Sequence, residues 1–211
     1  MGKTIIFDLD GTLTDSGEGI INCAELALRH FGLPVPDRQA MGVFVGPPLH
    51  DTFLKFGVPE DKVEEAVKVF RSRYTTVGKF ENTPYPGVHS MLQSLKEHGH
   101  TLLIATSKPE NMAIEILEKF ELAQYFDRIC GATLDRSRIN KEDVIAYLLK
   151  CSNANQSRIM VGDTAFDVIG AAAHGIATVG VSWGYGSTVE MKNAGAVAIA
   201  DTIEQLLAIL I

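Results

Sequence analysis

The sequence is poor in most of the features that announce a specialised protein. Cysteine is scarce, with Cys23, Cys130 and Cys151 widely spaced and odd in number. Such a set fits buried thiols of a reducing compartment better than a disulfide framework or a zinc site, so a cytoplasmic location is expected. No apolar run approaches the roughly 18 residues of a membrane span, and the first strand begins so close to Met1 that no signal peptide is visible. Basic residues number 19 against 26 acidic ones, giving a net charge of -7 with no block of like charges. That balance argues against a nucleic acid polymer or an anionic membrane as the main partner. No internal repeat or low-complexity tract is present. What remains is the composition of an ordinary globular protein, 46% hydrophobic and 21% charged, whose 211 residues suffice for one or two domains with a buried core. Monomer and homodimer are both compatible with it.

The most informative stretch runs from Thr4 to Thr14, T-I-I-F-D-L-D-G-T-L-T. A short apolar run, Ile5 to Phe7, ends abruptly in Asp8 and Asp10, with Gly11 and Thr12 behind them. Residues 16–82 then read as helical. Ile20, Ala24, Ala27, Leu28 and Phe31 recur at helical spacing until Gly32 and Pro34 stop them. A second helix is expected over residues 49–56, and a third after Pro59, where Val63, Val67, Phe70, Tyr74 and Val77 repeat every three or four residues. The stiff connection T-P-Y-P-G at 83–87 marks a change of style. Beyond it, apolar strands (101–105, 128–131, 158–161, 177–181, 197–200) alternate with helices beginning near Gly87, Pro109, Lys141, Thr164, Ser187 and Thr202. This alternation predicts an α/β fold with a doubly wound parallel-sheet (Rossmann-like) core. The first strand belongs to that core, so residues 1–15 and 83–211 form it and residues 16–82 are an inserted all-helical cap domain.

Ligands of such sheets sit outside the carboxyl ends of the strands. Here those ends carry Asp8 and Asp10, then Thr106, Ser107 and Lys108, then Asp163 with Asp167 four residues on, while Lys141 opens the helix before the third of them. Each piece alone has a plainer reading. D-x-D-G-T can be a surface turn, an acid near a helix start is favoured by the dipole, Thr106 and Ser107 can cap the following helix, and a single lysine is usually solvated. Their convergence on one edge is what gives them meaning. Four carboxylates need neutralising partners, and oxygen-only ligands favour Mg2+.

D-L-D-G-T-L-T-D, I-A-T-S-K, Lys141 and G-D-T-A-F-D resemble, in order and in placement, the four motifs of the haloacid dehalogenase superfamily in its phosphatase branch. The helical insertion resembles the cap of phosphoglycolate phosphatase and β-phosphoglucomutase relatives, and V-G-P-P-L and S-W-G-Y-G resemble segments of the phosphoglycolate phosphatase-like group. The family's lysine is often followed by proline, where this chain has Glu142; Lys141 is nevertheless expected, over Lys108, to be the phosphate-contacting lysine. The resemblance implies a Mg2+-dependent phosphatase acting on a small phosphorylated substrate, with a phosphoglycolate-like ester or a nucleoside monophosphate ranked first. It implies Asp8 as nucleophile, Asp10 as proton carrier, and Thr106 and Lys141 as partners of the phosphoryl group. Leu9, Asp10 and Gly11 would offer backbone N–H groups, with Ser107, Lys108 and Glu18 as further substrate contacts. The metal would be held by the Asp8 carboxylate, the Asp10 carbonyl, Asp163 and Asp167. A phosphomutase would use the same motifs, whereas a catalytically silent binding module has no need of all five charged residues. A dehalogenase is disfavoured because it needs neither the second aspartate nor a metal.

Overall fold

The computed structural model describes residues 2–135, 137–151 and 157–211. In chain order its elements are β1 (Thr4–Phe7), β2 (Thr14–Asp15), α1 (Gly17–His30), α2 (Arg38–Met41), α3 (Leu49–Lys55), α4 (Val63–Tyr74), β3 (Thr83–Pro84), α5 (Val88–Glu97), β4 (Thr101–Pro109), α6 (Glu110–Lys119), β5 (Arg128–Ala132), α7 (Lys141–Cys151), β6 (Arg158–Gly162), α8 (Ala165–Ala172), β7 (Ala177–Val181), α9 (Thr188–Asn193), β8 (Ala198–Ala200) and α10 (Ile203–Leu210). Among the described residues, six strands form one sheet in the order β5-β4-β1-β6-β7-β8, and every neighbouring pair is parallel.

The alternation of side chains along β1 explains why its apolar run needs cover on both faces. Ile5 and Phe7 point into a cluster with Leu102, Ile104, Val161 and Val179, roofed by Met91, Leu92 and Leu95 of α5, Ile116 and Leu117 of α6, and Leu206 and Leu210 of α10. Ile6 points the other way, to Leu103, Ala105 and Met160 beneath Val144, Ile145 and Leu148 of α7. The sheet therefore has helices on both faces. The chain winds outward from β1 through β4 and β5, then returns to β1's other side as β6. β1 is thus the switch point, and its carboxyl end opens between those of β4 and β6.

Residues 17–80 contain no strand and bury an apolar cluster of their own. Ile20, Ala24, Ala27 and Leu28 of α1 face Val63, Ala66, Val67 and Phe70 of α4. Phe53 sits within 5.1 Å of Phe44 and 6.4 Å of Phe70, centroid to centroid. One residue of α6, Met112, joins this cluster from the sheet side. The chain leaves and re-enters the α/β body through two short paired strands, with Thr14 opposite Pro84 and Asp15 opposite Thr83. The stiff connection expected at 83–87 thus begins as a strand. None of the helices among the described residues is long and apolar enough to cross a membrane.

Four strand boundaries differ from the sequence reading: β5 ends at Ala132 and β6 at Gly162, each one residue later than expected. β8 starts at Ala198, one residue later than expected. More consequentially, β4 does not stop at Ala105 but continues to Pro109, with its pairing to β5 slipping between Thr106 and Pro109. Gly131 of β5 makes that irregular continuation possible. A Cβ there would lie 2.5 Å from the Lys108 carbonyl oxygen, so the close approach needs a residue without one.

The aromatic centre of the helical segment gives a direct test of its packing. Phe53→Ala, at a fully buried position, is expected to cost about 3–5 kcal/mol, read as a shift in the urea unfolding midpoint. A loss below one kilocalorie per mole would mean that Phe53 does not carry this core.

Candidate active site

Asp8 is the first residue past β1, and its N–H still donates to the Val161 carbonyl at 2.9 Å. The sheet ladder thereby fixes the backbone from which its carboxylate projects. The chain then folds back tightly. Leu13 and Thr14 donate to the Leu9 carbonyl at 2.9 and 3.1 Å, and Gly11 donates to the Thr14 carbonyl at 2.8 Å. Gly11 has φ +79°, and a Cβ there would stand 2.2 Å from Asp163 Oδ2. Only glycine satisfies both conditions without strain. One sequence expectation changes here: the Gly11 N–H is occupied inside the turn, so it is not free to face an anion as Leu9 and Asp10 were expected to do with it. The Leu9 side chain lies in the apolar core, leaving only its backbone to serve the site.

The two lysines hold different ends of the acidic cluster. Lys141 is the first residue of α7, and its ammonium lies 2.8 Å from Asp8 Oδ1, 2.8 Å from Asp167 Oδ1 and 2.9 Å from the Ala105 carbonyl. It donates to the carbonyl and is ion-paired with both carboxylates. Gly170 of α8 admits its stem, since a Cβ there would be 2.8 Å from Lys141 Cβ. Lys108 instead lies 3.0 Å from Asp10 Oδ2 and donates to the phenol oxygen of Tyr74. Its own N–H donates to Thr106 Oγ1 at 3.2 Å.

Asp163 and Asp167 are seated by the loop between β6 and α8 and by the segment after β7. Thr12 Oγ1 donates to Asp163 Oδ1 at 3.2 Å and the Tyr185 N–H to Asp163 Oδ2 at 2.8 Å. Asp167 Oδ2 accepts from the Thr164 N–H at 3.1 Å and from its hydroxyl at 2.8 Å. Trp183 Nε1 donates to the Thr12 carbonyl at 3.1 Å, and the Tyr185 phenol donates to Asp15. Trp183 and Tyr185 thus brace the turn and an acid. A backbone donor such as the Tyr185 N–H leaves no trace in residue identity.

Ligand atoms of Asp8, Asp163 and Asp167 all lie within 4.8 Å of one another, and all three residues are buried. Burial pushes the Asp163 carboxyl up to about 8, helped by the charges of Asp167 and Asp8. Burial also raises Asp8 to about 6, against the opposing pull of Lys141. Burial alone would lower Lys141, but Asp167 and Asp8 outweigh it and hold the ammonium charged. One lysine does not balance three such carboxylates, and an all-oxygen donor set of this charge fits Mg2+.

A cavity of about 200 Å³ opens above Asp8 and Asp10. Thr106, Ser107 and Lys108 edge it on the sheet side, and Phe44, Phe70 and Tyr74 wall it from the helical segment. His50 and Arg71 also reach it. Glu18 is exposed and lies outside this lining, Lys55 is exposed, and Arg73 is engaged with Glu81 at 2.6 Å. The residue the sequence reading missed is Tyr74, which by spacing alone was one more apolar position of an amphipathic helix.

Comparison with known proteins identifies the family and the fold. A family model described as haloacid dehalogenase-like hydrolase matches residues 5–181. A tyrosine-protein kinase, PtkA, of Mycobacterium tuberculosis is 43% identical over 97% of this chain and 71% of its own length. A 5'-nucleotidase of Pseudomonas aeruginosa is 40% identical over 89% of this chain and 86% of its own. Among solved structures, a predicted phosphatase from Clostridium acetobutylicum superposes with a TM-score of 0.94 at 40% identity, covering 100% of this chain and 99% of that one.

The raised Asp163 carboxyl makes stability depend on pH and on a cation. Between 3.8, where it titrates in an unstructured chain, and about 8 in the folded protein, the folded state holds more protons than the unfolded one. Stability of the metal-free protein therefore falls as pH rises through that window. Thermal unfolding in a chelator is expected to show a midpoint dropping by several degrees from the acid to the alkaline side. Magnesium is expected to restore it most at the alkaline end, and Asp163→Asn to remove the magnesium response and the part of the pH dependence above about 6, below which Asp8 still contributes. A midpoint indifferent to magnesium would exclude the three acids as its site.

Proposed function

This chain belongs to the haloacid dehalogenase-like hydrolase family and is a phosphatase, and we propose that it is a Mg2+-dependent hydrolase of a small phosphate monoester, working through an aspartyl-phosphate on Asp8. The observation that carries the reading is the pair of acids at the end of the central strand, Asp8 held by Lys141 and Asp10 held by Lys108 on the floor of one cavity. Two carboxylates two residues apart can take different roles only when their surroundings differ. Here they do.

In the proposed reaction a carboxylate oxygen of Asp8 forms a bond to phosphorus while the ester P–O bond breaks. Asp10 gives its proton to the departing oxygen. Water then attacks the same phosphorus, Asp10 takes its proton, and the Asp8–phosphorus bond breaks to release inorganic phosphate. Thr106, at the edge of the cavity, would donate its hydroxyl to a phosphoryl oxygen, with Leu9 and Asp10 backbone N–H groups as further partners. Lys141 offsets negative charge from below Asp8. Mg2+ held by the carboxylates of Asp8, Asp163 and Asp167 and the carbonyl of Asp10 would supply the remaining positive charge.

Residues 16–82 are proposed as a cap that excludes bulk water and restricts the substrate to a small molecule. Its aromatic wall, with Phe44, Phe70 and Tyr74 beside Arg71 and His50, favours a nucleoside monophosphate over a phosphoglycolate-like ester. The 5'-nucleotidase named among the relatives supports the same ranking. The tyrosine-kinase relative supports a second acceptor for the same intermediate, a tyrosine hydroxyl in place of water. The unpaired thiols suit a cytoplasmic setting.

A screen of phosphorylated metabolites with and without Mg2+, read as inorganic phosphate, tests the substrate and the hydrolytic outcome together. A rearranged ester would instead indicate a mutase, and phosphate carried to a tyrosine peptide a kinase. Asp8→Asn is expected to stay folded and to lose at least about a thousandfold of its turnover with p-nitrophenyl phosphate. Near-normal phosphate release by that variant would remove Asp8 as nucleophile.

A further inference from the structure

Lys108 joins the two parts of the molecule in a way that phosphoryl transfer by itself does not demand. Its ammonium is shared between Asp10, at the end of the central strand, and the phenol of Tyr74, the last residue of α4. All three side chains are buried, at 6% exposed for Asp10, 7% for Lys108 and 4% for Tyr74. Burial keeps Tyr74 a neutral phenol, its pKa pushed up to about 12, while Asp10 and Tyr74 keep Lys108 charged despite its own burial. The phenol oxygen is therefore an acceptor for the ammonium.

Packing determines where that acceptor stands. The Tyr74 ring stacks on Phe70 at 5.2 Å and 25°. Gly78 leaves room for it, since a Cβ there would lie 3.1 Å from Tyr74 Cδ2 and 2.6 Å from Cys23 Sγ. A lysine ammonium on its four-carbon stem has many positions open to it, and two fixed acceptors select one. Asp10 depends on that selection. Its Oδ1 has no hydrogen-bond partner among the described residues, so its carboxylate is oriented through Oδ2 and hence through Lys108.

We infer that Tyr74 is a positioning residue. From the helical segment it fixes the Lys108 ammonium, and through it aims the Asp10 carboxyl group, with the proton on its unpartnered Oδ1, at the oxygen that leaves. This rests on Asp10 being the proton carrier. It makes proton delivery conditional on α4 lying over the sheet edge, whereas Asp8, Lys141 and the acidic cluster are complete without any residue of the helical segment.

The test is Tyr74→Phe, which keeps the ring and its stack and removes one oxygen. Phosphate release is measured with p-nitrophenyl phosphate, whose phenolate departs with little help, and with benzyl phosphate, whose alkoxide needs a proton. The ratio kcat/KM reports steps up to and including transfer to Asp8. The variant is expected to lose about tenfold or more of kcat/KM for benzyl phosphate while p-nitrophenyl phosphate changes little and the thermal midpoint stays within a few degrees. In a Lys108→Gln background the same change is expected to cost nothing further, because the two residues act in series. Equal losses with both esters, no loss with either, or additive losses in the double variant would overturn the role of Tyr74 and leave the hydrolase reading standing. A wild-type protein that releases phosphate from neither ester would overturn both.

Discussion

The constraint on which the rest of the structure depends is the burial of several carboxylates against one ammonium at the end of the central strand. Lys141 is ion-paired with Asp8 and Asp167 and donates to the Ala105 carbonyl, and Asp163 completes a cluster whose charge one lysine does not balance. Unbalanced buried charge of this kind is tolerated where function needs it, and it raises the affinity of the site for a cation in the same measure. The glycines around it are consequences. Gly11, Gly162 and Gly184 would each place a Cβ within 2.3 Å of an Asp163 or Asp167 side-chain atom. Space that would elsewhere hold side chains is given to carboxylates.

Around that cluster the chain is braced by contacts far apart in sequence. The segment after β7 bonds the Thr12 carbonyl through Trp183 and Asp163 through the Tyr185 N–H, and its Tyr185 phenol reaches Asp15 in β2. Asp15 also accepts the Gly17 N–H at 3.3 Å, so one tyrosine touches both an acid of the site and the start of the helical segment. Gly17 permits this, because a Cβ there would stand 1.9 Å from the Tyr185 hydroxyl. On the return side, Arg73 and Glu81 form two bonds of 2.6 Å, and the Gly19 N–H donates to the Glu81 carbonyl at 3.1 Å. The paired strands β2 and β3 are thereby held from both directions. Motion of the helical segment relative to the sheet would have to pass through these few residues.

Much of this was legible in the sequence because it depends on local pattern. Ile5, Ile6 and Phe7 need cover on both faces, and an apolar run that stops at two acids marks the end of a strand. The strand–helix alternation after residue 87 gave the parallel sheet, and the helical spacing of Ile20, Ala24, Ala27 and Leu28 gave α1. Illegible features depend on partners elsewhere in the chain. β4 continues past Ala105 because Gly131 of another strand lets it. β2 and β3 are too short to show any periodicity. Tyr74 has the spacing of a core residue and is one, and nothing in that spacing reveals the single polar atom that it brings to Lys108.

The two lysines divide the site along the same line that divides the fold. Lys141 and its partners all belong to the α/β body, so Asp8 and the acidic cluster stand whatever the helical segment does. Lys108 has one acceptor in each part, so the second aspartate does not. On the proposed mechanism, the group that attacks phosphorus is permanent and the group that serves the leaving oxygen is assembled by closure. An enzyme built this way would discriminate between substrates at the leaving group, because a substrate that keeps α4 from its place would forfeit proton delivery even with its phosphate correctly bound. The aromatic wall that ends in Tyr74 would then select substrates through catalysis as well as through contact.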